Sequence, residues 1–280
     1  MKRNLIVARC GEQSLHPHWL EGAEPDFDLV VTFYGQTVPP AWRDAGYEIH
    51  AIAGPKWQGL HQYLTRTDRW KAYERILLPD DDLLIDAAAL NRFFGICAEL
   101  RADLAQPALD ARSHFSWAVT LAHESFLWRM TNLVECMCPC LSPRLLERAL
   151  PWFAQTRAGW GLDVHWADML RTQGWGMPVV VDAVTLTHTR PVGALGNGTG
   201  DPAHDAKAEL SAFLARLGLP EPVGVTLGGQ LRTGEVLPPG RDGLRLAQAV
   251  GKDLAGKLGQ MSAQQIADAV ISQVVGLQAG

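Results

Sequence analysis

Three consecutive carboxylates, Asp80, Asp81 and Asp82, follow the apolar run Ile76-Leu77-Leu78 and Pro79. Acids this close repel one another, and taking them out of water is costly unless something positive is at hand. A hard divalent cation with oxygen ligands is the natural compensation. The spacing Asp80-x-Asp82 suits Mn²⁺ or Mg²⁺, and a cation held there would neutralise a departing diphosphate, as a metal-dependent nucleotide-sugar transferase needs. His188, in Thr185-Leu186-Thr187-His188-Thr189-Arg190, could supply a third ligand, its nitrogen favouring Mn²⁺ over Mg²⁺. The plainer alternatives are a solvated turn with Asp86 capping the next helix, and a hydrogen-bonded histidine at a strand end.

Two further acids could move a proton. Gly159-Trp160-Gly161-Leu162-Asp163 pairs a flat aromatic platform, suited to the face of an acceptor sugar, with a carboxylate at a helix start. Its alternative is a helix N-cap beside a packed tryptophan. Glu135, in Asn132-Leu133-Val134-Glu135, is an acid in an apolar run whose pKa burial would raise; it ranks below Asp163 as base or acceptor contact. Arg9, Ser14, Lys56 and Asp81 are candidate contacts for a nucleotide and its phosphates, although each of the basic groups taken singly reads as a surface charge. An aspartyl-phosphate phosphatase would carry its Asp-x-Asp on the opening strand with a small hydroxyl residue after it, whereas Leu83 and Leu84 follow here. A calcium loop would need an oxygen ligand in place of Leu84 and glycine in place of Ile85.

The elements that must position these groups alternate in type. Asn4–Ala8, Phe27–Tyr34, Tyr47–Ile52 and Arg75–Leu78 read as apolar strands, with helical spacing over 57–73 and 86–100. This rhythm predicts an α/β fold with a mostly parallel sheet, and ligands in such sheets bind outside the carboxyl ends of the strands. Beyond Gln106-Pro107 strands are expected at 116–120 and 132–137 with no helix between, so the sheet should become mixed. Ser142 and Pro143 open a helix to about Phe153; a further helix spans 164–172, and short strands cover 178–182 and 184–188. The Gly-rich stretch 191–202 marks an expected boundary between a main domain, 1–193, and a small, mainly helical C-terminal appendage, 194–280. Within the appendage, helices are expected at 204–217, 244–258 and 263–275, and a hairpin near 223–236.

A chain of 280 residues, 47% hydrophobic and 20% charged, is long enough for one sizeable core. A formal charge of −5 argues against a nucleic-acid polymer as partner. No stretch approaches the about 18 apolar residues that a bilayer span requires, and the few basic residues on the tail helices make a membrane-surface role a minor alternative. A cytoplasmic location is the expectation. The five cysteines, three of them alternating at 136, 138 and 140, suit neither a disulfide framework nor a paired zinc site, and read as small reduced residues.

Several blocks then occur in a familiar order: Leu77-Leu78-Pro79-Asp80-Asp81-Asp82-Leu83, Gln106-Pro107-Ala108-Leu109-Asp110, Thr131-Asn132-Leu133-Val134-Glu135, Gly159-Trp160-Gly161-Leu162-Asp163, and Val181-Asp182 ahead of His188. The set, covering roughly Leu5 to Val192, resembles the plant and bacterial family called domain of unknown function seven hundred and seven, which is regarded as similar to GT-A-fold glycosyltransferases. The resemblance implies a nucleotide-binding α/β domain with Asp80 and Asp82 at a metal-diphosphate site and Asp163 and His188 nearby. The cysteines after Glu135 depart from the small apolar residues expected there. The leading expectation is a metal-dependent glycosyltransferase that uses a nucleoside-diphosphate sugar and a glycan or other hydroxyl acceptor. The rivals are a non-catalytic nucleotide- or carbohydrate-binding module and a metal-dependent phosphoesterase.

Overall fold

Period-two burial along the first strand, β1 (Asn4–Cys10), sends Leu5 and Val7 to one face of a sheet and Ile6, Ala8 and Cys10 to the other. A strand apolar on both faces must be covered on both, which is the condition for a three-layer α/β fold. The computed structural model describes residues 2–193, 205–241, 243–257, 259, 261–262, 265–267 and 269.

β2 (Phe27–Phe33), α1 (Pro40–Asp44), β3 (Glu48–Ala51), α2 (Lys56–Arg66) and β4 (Arg75–Leu77) follow. In this half of the sheet β1 pairs in parallel with β2 and β4, and β2 with β3. Next come β5 (Leu83–Leu84), α3 (Ala87–Glu99), β6 (Leu104–Leu109), β7 (Phe126–Thr131), β8 (Cys140–Leu141), α4 (Pro143–Phe153), α5 (Leu162–Gln173) and β9 (Val179–His188). The chain then adds α6 (Ala206–Leu217), β10 (Thr226–Leu231), β11 (Val236–Leu237) and α7 (Gly243–Ala255). Among the described residues the sheet runs β11-β10-β7-β9-β6-β8-β4-β1-β2-β3, and β5 pairs with β9 off this path. β6 and β9 are parallel, while β8, β7 and β10 join antiparallel, so the sheet is mixed beyond β4. On one face Leu90, Phe93 and Phe94 of α3 pack on Ile6, Ala8 and Val31; on the other Leu60, Leu146, Phe153 and Trp166 pack on Leu5 and Val7. β10 and β11 extend this same sheet, and Phe213 of α6 joins the second core.

Several expected boundaries shift for identifiable reasons. Ser142 and Asp86 do cap α4 and α3, accepting from Leu145 N and Ala89 N. The strand expected at 116–120 is a 3-10 turn, because the backbone N–H groups of Ser116 and Trp117 and the Thr120 hydroxyl turn inward to the Glu135 carboxylate. The segment 132–137, expected as a strand, is a loop; its pairing partner in the sheet is used up by Phe126–Thr131 instead. β6 holds Pro107 at a register shift against β9, where a residue without N–H costs the ladder least; β9 runs unbroken from Val179 to His188 where two strands are expected, and the shift falls at their expected junction. The expected 191–202 boundary and the helix over 263–275 lie largely outside the described residues.

Candidate active site

Each side chain of the acid cluster is fixed by a different long-range backbone bond. β4 stops before Pro79, and Asp80 N then donates to Met137 O at 2.7 Å. Asp81 O accepts from Leu15 N, and Asp82 O from Thr189 N. The two-residue strand β5 aligns Leu83 directly with His188 of β9. That bridge, invisible in the sequence, brings the imidazole to the acids: His188 Nε2 lies 3.3 Å from Asp82 Oδ2. His188 Nδ1 is 2.6 Å from the carbonyl oxygen of His114, which fixes a proton on Nδ1 and turns Nε2 toward the carboxylates. Burial pulls this imidazole toward neutrality, but the hydrogen bond and charge of Asp82, with the His114 carbonyl and Asp80 behind them, push it up to about 9.

Asp80, Asp82 and His188 can each point one ligand atom at a common centre, all within 4.8 Å of one another. Asp82 Oδ1 is buried and has no hydrogen-bond partner. A carboxylate oxygen stripped of water and left unpaired is costly, and a divalent cation would satisfy it, so the residues present fit a metal. Lys56 Nζ sits 2.7 Å from Asp80 Oδ1 and donates to the carbonyls of Cys136 and Met137. The Asp80 carboxyl is held above the ordinary range by its removal from water, against which the Lys56 charge acts. Asp81 lines the same cavity but is taken up by other partners. It accepts from Gly11 N, the Tyr34 hydroxyl and Arg190, and so ties the end of β1 to the segment after β9.

These groups line one cavity of about 1170 Å³ at the carboxyl ends of β1, β2 and β4. Single-ligand sites are usually about 300–1,000 Å³, so there is room for more than one small molecule. Arg9, Lys56, Asp80, Asp81, Asp82, Glu135, Trp160, Asp163 and His188 all reach it. Ser14 is not among its lining residues: its hydroxyl bonds His16 Nδ1 at 2.9 Å, because the loop after β1 folds back over the aromatic core of Trp19 and Trp42. Arg9 is buried under the cavity floor, where Nη1 and Nη2 bond the carbonyls of Thr32 and Gly54 and desolvation lowers it to about 10.

The two remaining acids share one partner that the sequence did not single out. Trp117 donates its backbone N–H to Glu135, and its side chain stands beside Asp163, where it favours the ionised carboxylate. Glu135 also accepts from Thr120 Oγ1 at 2.6 Å, yet burial still pushes it up to about 7. Asp163 is not the N-cap of α5. That place belongs to Gly161 at φ +97, leaving Asp163 in the first helical turn with its carboxyl in the cavity wall. Burial raises it to about 6, partly offset by the Val164 N–H and the neighbouring Trp117 side chain. Arg190, Tyr34 and Trp117 are the site residues that sequence reasoning missed. Arg190 stands two residues after His188 and could have been found by extending that motif; nothing local marks the others. Cys138 and Cys140 are buried and free, and Cys136, half-buried, lines the cavity with its thiol on Gly159 O.

No family model and no curated protein matches the chain by sequence. Residues 1–349 of S. aureus TarS, solved with UDP-GlcNAc, superpose with a TM-score of 0.54 at 12% identity, over 78% of this chain and 65% of that one. Glucosyl-3-phosphoglycerate synthase from Mycobacterium tuberculosis, solved with Mn²⁺, UDP and glucosyl-3-phosphoglycerate, gives 0.47 at 15% identity, over 85% and 90%. The chain thus spans slightly less than two thirds of the TarS fragment. Its fold is that of the GT-A-like glycosyltransferases, a mixed α/β sheet flanked by helices. Among the described residues no helix is long and apolar enough to cross a membrane.

Proposed function

We propose that the protein is a metal-dependent glycosyltransferase that moves a sugar from a nucleoside-diphosphate donor to a hydroxyl of a glycan or similar acceptor. The observation that carries this reading is the partnerless Asp82 Oδ1 beside Asp80 and His188, at the wall of a cavity large enough for donor and acceptor together. The UDP-GlcNAc held by the TarS fragment of the same fold supports it, as does the resemblance to domain-of-unknown-function family seven hundred and seven. In this reading Asp80, Asp82 and His188 hold Mn²⁺ or Mg²⁺, with the imidazole favouring Mn²⁺. The bound cation supplies Lewis-acid neutralisation of the diphosphate as it leaves. Lys56 and Arg190 add fixed positive charge beside the same oxygens, and Arg9 closes the nucleotide end.

Asp163 is the preferred base. Its carboxylate takes the acceptor hydroxyl proton while the bond from sugar to diphosphate breaks and the bond from sugar to acceptor oxygen forms. The Val164 backbone N–H holds that carboxylate at the helix start, Trp117 stands beside it, and Trp160 offers the acceptor an apolar face. Glu135 stands ready for an acceptor hydroxyl. Residues 1–193 carry the metal and donor contacts in this reading, and the segment from residue 205 adds one wall of the acceptor side.

A base that ionises near 6 must be deprotonated to work. The transfer rate is therefore expected to rise about tenfold per pH unit below about 6 and to level off above it. Stability runs the other way for this group: its ordinary value is 3.8 and the folded value about 6, so its ionisation weakens the fold as pH climbs between them. A pH–rate profile of kcat/KM, with Asp163→Asn as control, checks the assignment; a flat profile between pH 5 and 7 would remove Asp163 as base.

The reading as a whole is tested by thermal unfolding with a panel of nucleoside diphosphates, with and without Mn²⁺, followed by turnover assays of the matching sugar nucleotides. The expected result is a rise in Tm that needs both nucleotide and metal. For a ligand at 100 times its Kd the stabilisation is about 2.7 kcal/mol. A nucleotide shift indifferent to metal contradicts the proposal, and metal-dependent binding without any transfer or donor hydrolysis would point to the non-catalytic module.

A further inference from the structure

The wall that carries Trp160 and Asp163 is held by a carboxylate from another element. Glu209, on the inner side of α6, accepts the backbone N–H groups of three successive residues: Arg157 at 3.2 Å, Ala158 at 3.0 Å and Gly159 at 3.2 Å. The Thr156 hydroxyl donates to the same oxygen, and Gly159 N also reaches the Thr156 oxygen at 2.8 Å. Successive N–H groups pointing into one hollow form an anion-binding nest, and here the nest is filled from within the molecule. The residues that follow have no slack. Gly159, at φ +84, lies so close to Trp57 that a Cβ would fall 1.9 Å from the indole nitrogen. Gly161, at φ +97, is pressed on Phe213 of α6, 2.9 Å from where its Cβ would stand. Asp163 comes two residues later, and Lys207, Leu210 and Ser211 of the same helix α6 line the cavity beside Trp160.

We propose that Glu209 is a positioning residue for the acceptor half of the site: its carboxylate fixes the 156–159 turn, and through it sets Trp160 and the Asp163 carboxylate relative to the metal-ligand trio. The proposal rests on the reading of Asp163 as base, but its structural half can be tested without any turnover. α6 thereby acts as a buttress whose one face grips the turn and whose flank borders the acceptor.

The test uses the full chain labelled with 5-fluorotryptophan, the ¹⁹F lines of Trp117 and Trp160 being assigned by single Trp→Phe changes. In Glu209→Ala those two lines are expected to shift or broaden while those of Trp19 and Trp42, on the other side of the sheet, stay in place. Glu209→Gln keeps one acceptor oxygen and should restore most of the native positions. In kinetics, Glu209→Ala is expected to lower kcat about 100-fold, the usual cost of about 1 Å of misplacement, with donor KM changed less than threefold. Glu209→Gln should recover at least tenfold of that loss. Unmoved Trp117 and Trp160 lines in the folded variant overturn the proposal. So does a displaced turn with kcat unchanged, or a parallel loss of donor affinity. If Glu209→Ala does not fold, Glu209→Asp, which keeps the charge on a side chain one methylene shorter, takes its place: a selective shift of the two lines with reduced kcat supports positioning, and native lines, or shifted lines with native kcat, overturn it. If no sugar nucleotide is turned over by the wild-type chain, the transferase reading fails on that result, and the line shifts still report whether the clasp exists.

Discussion

Asp82→Ala is expected to abolish sugar transfer, by about 1,000-fold or more in kcat/KM, while leaving a folded protein. The size follows from what the carboxylate would do: removing a ligand that fixes the cation, or a group that stabilises developing charge, typically costs about 10²–10³-fold or more. The choice of Asp82 over Asp80 is physical. Asp80 is the counter-ion of Lys56, which is 8% exposed, so Asp80→Ala would strand a buried ammonium and confuse lost function with lost stability. Asp82 instead contributes one oxygen to His188 and leaves the other unpaired, so its removal relieves an unsatisfied buried acceptor. His188 then loses the partner that holds it near 9 and reverts toward a neutral imidazole at neutral pH. Circular dichroism should be unchanged, Tm should move by no more than a few degrees, and the Mn²⁺-dependent part of the nucleotide stabilisation should vanish. Retained metal-dependent nucleotide binding in Asp82→Ala would sink the metal site as described.

The largest stability effect is expected at Arg129, which does not line the cavity. This fully buried guanidinium on β7 donates to both oxygens of Asp182 on β9 at 2.9 Å, to the carbonyls of Val119 and Leu121 at 2.8 Å, and to Thr226 Oγ1 on β10 at 3.2 Å. It joins three strands and the turn whose backbone holds Glu135. Arg129→Ala leaves the Asp182 charge buried and two carbonyls without a donor, a loss of about 3–5 kcal/mol. For a domain of this size that corresponds to a fall in Tm of roughly 10 °C. The double variant Arg129→Met/Asp182→Leu removes the orphaned charge and should recover part of the loss, not all, because His123 N and the Val119 and Leu121 carbonyls stay unpaired. A change of less than about 3 °C for Arg129→Ala in a denaturation experiment would contradict this account.

The two sites differ in how visible they are in the chain. The acid cluster announces itself locally: three carboxylates after an apolar run and a proline are unusual enough to name Asp80 and Asp82, and the Gly-Trp-Gly-Leu-Asp block names Trp160 and Asp163. Arg129 sits in Phe126-Leu127-Trp128-Arg129-Met130-Thr131, where nothing distinguishes a surface arginine on a strand from one buried against an acid 53 residues away. Trp117 is equally silent, since its bond to Glu135 and its place beside Asp163 exist only once the 116–120 segment coils instead of extending. Ser14 shows the converse error. Its place after the first strand fitted a nucleotide contact, but its hydroxyl was claimed by a histidine two residues on.

From the residues alone came the strand–helix alternation, the mixed sheet, the helix caps at Asp86 and Ser142, and the acids with an appetite for a cation. Those follow from short-range physics: side-chain period, capping chemistry, and repulsion between neighbours in the chain. Only the folded chain decided that Leu83 lies opposite His188, that Glu209 fills the nest at 157–159, and that one carboxylate oxygen is left wanting a partner. Each of these depends on strand register and on helices meeting across dozens of residues, and register is set by how the whole core packs, which no local stretch of sequence encodes.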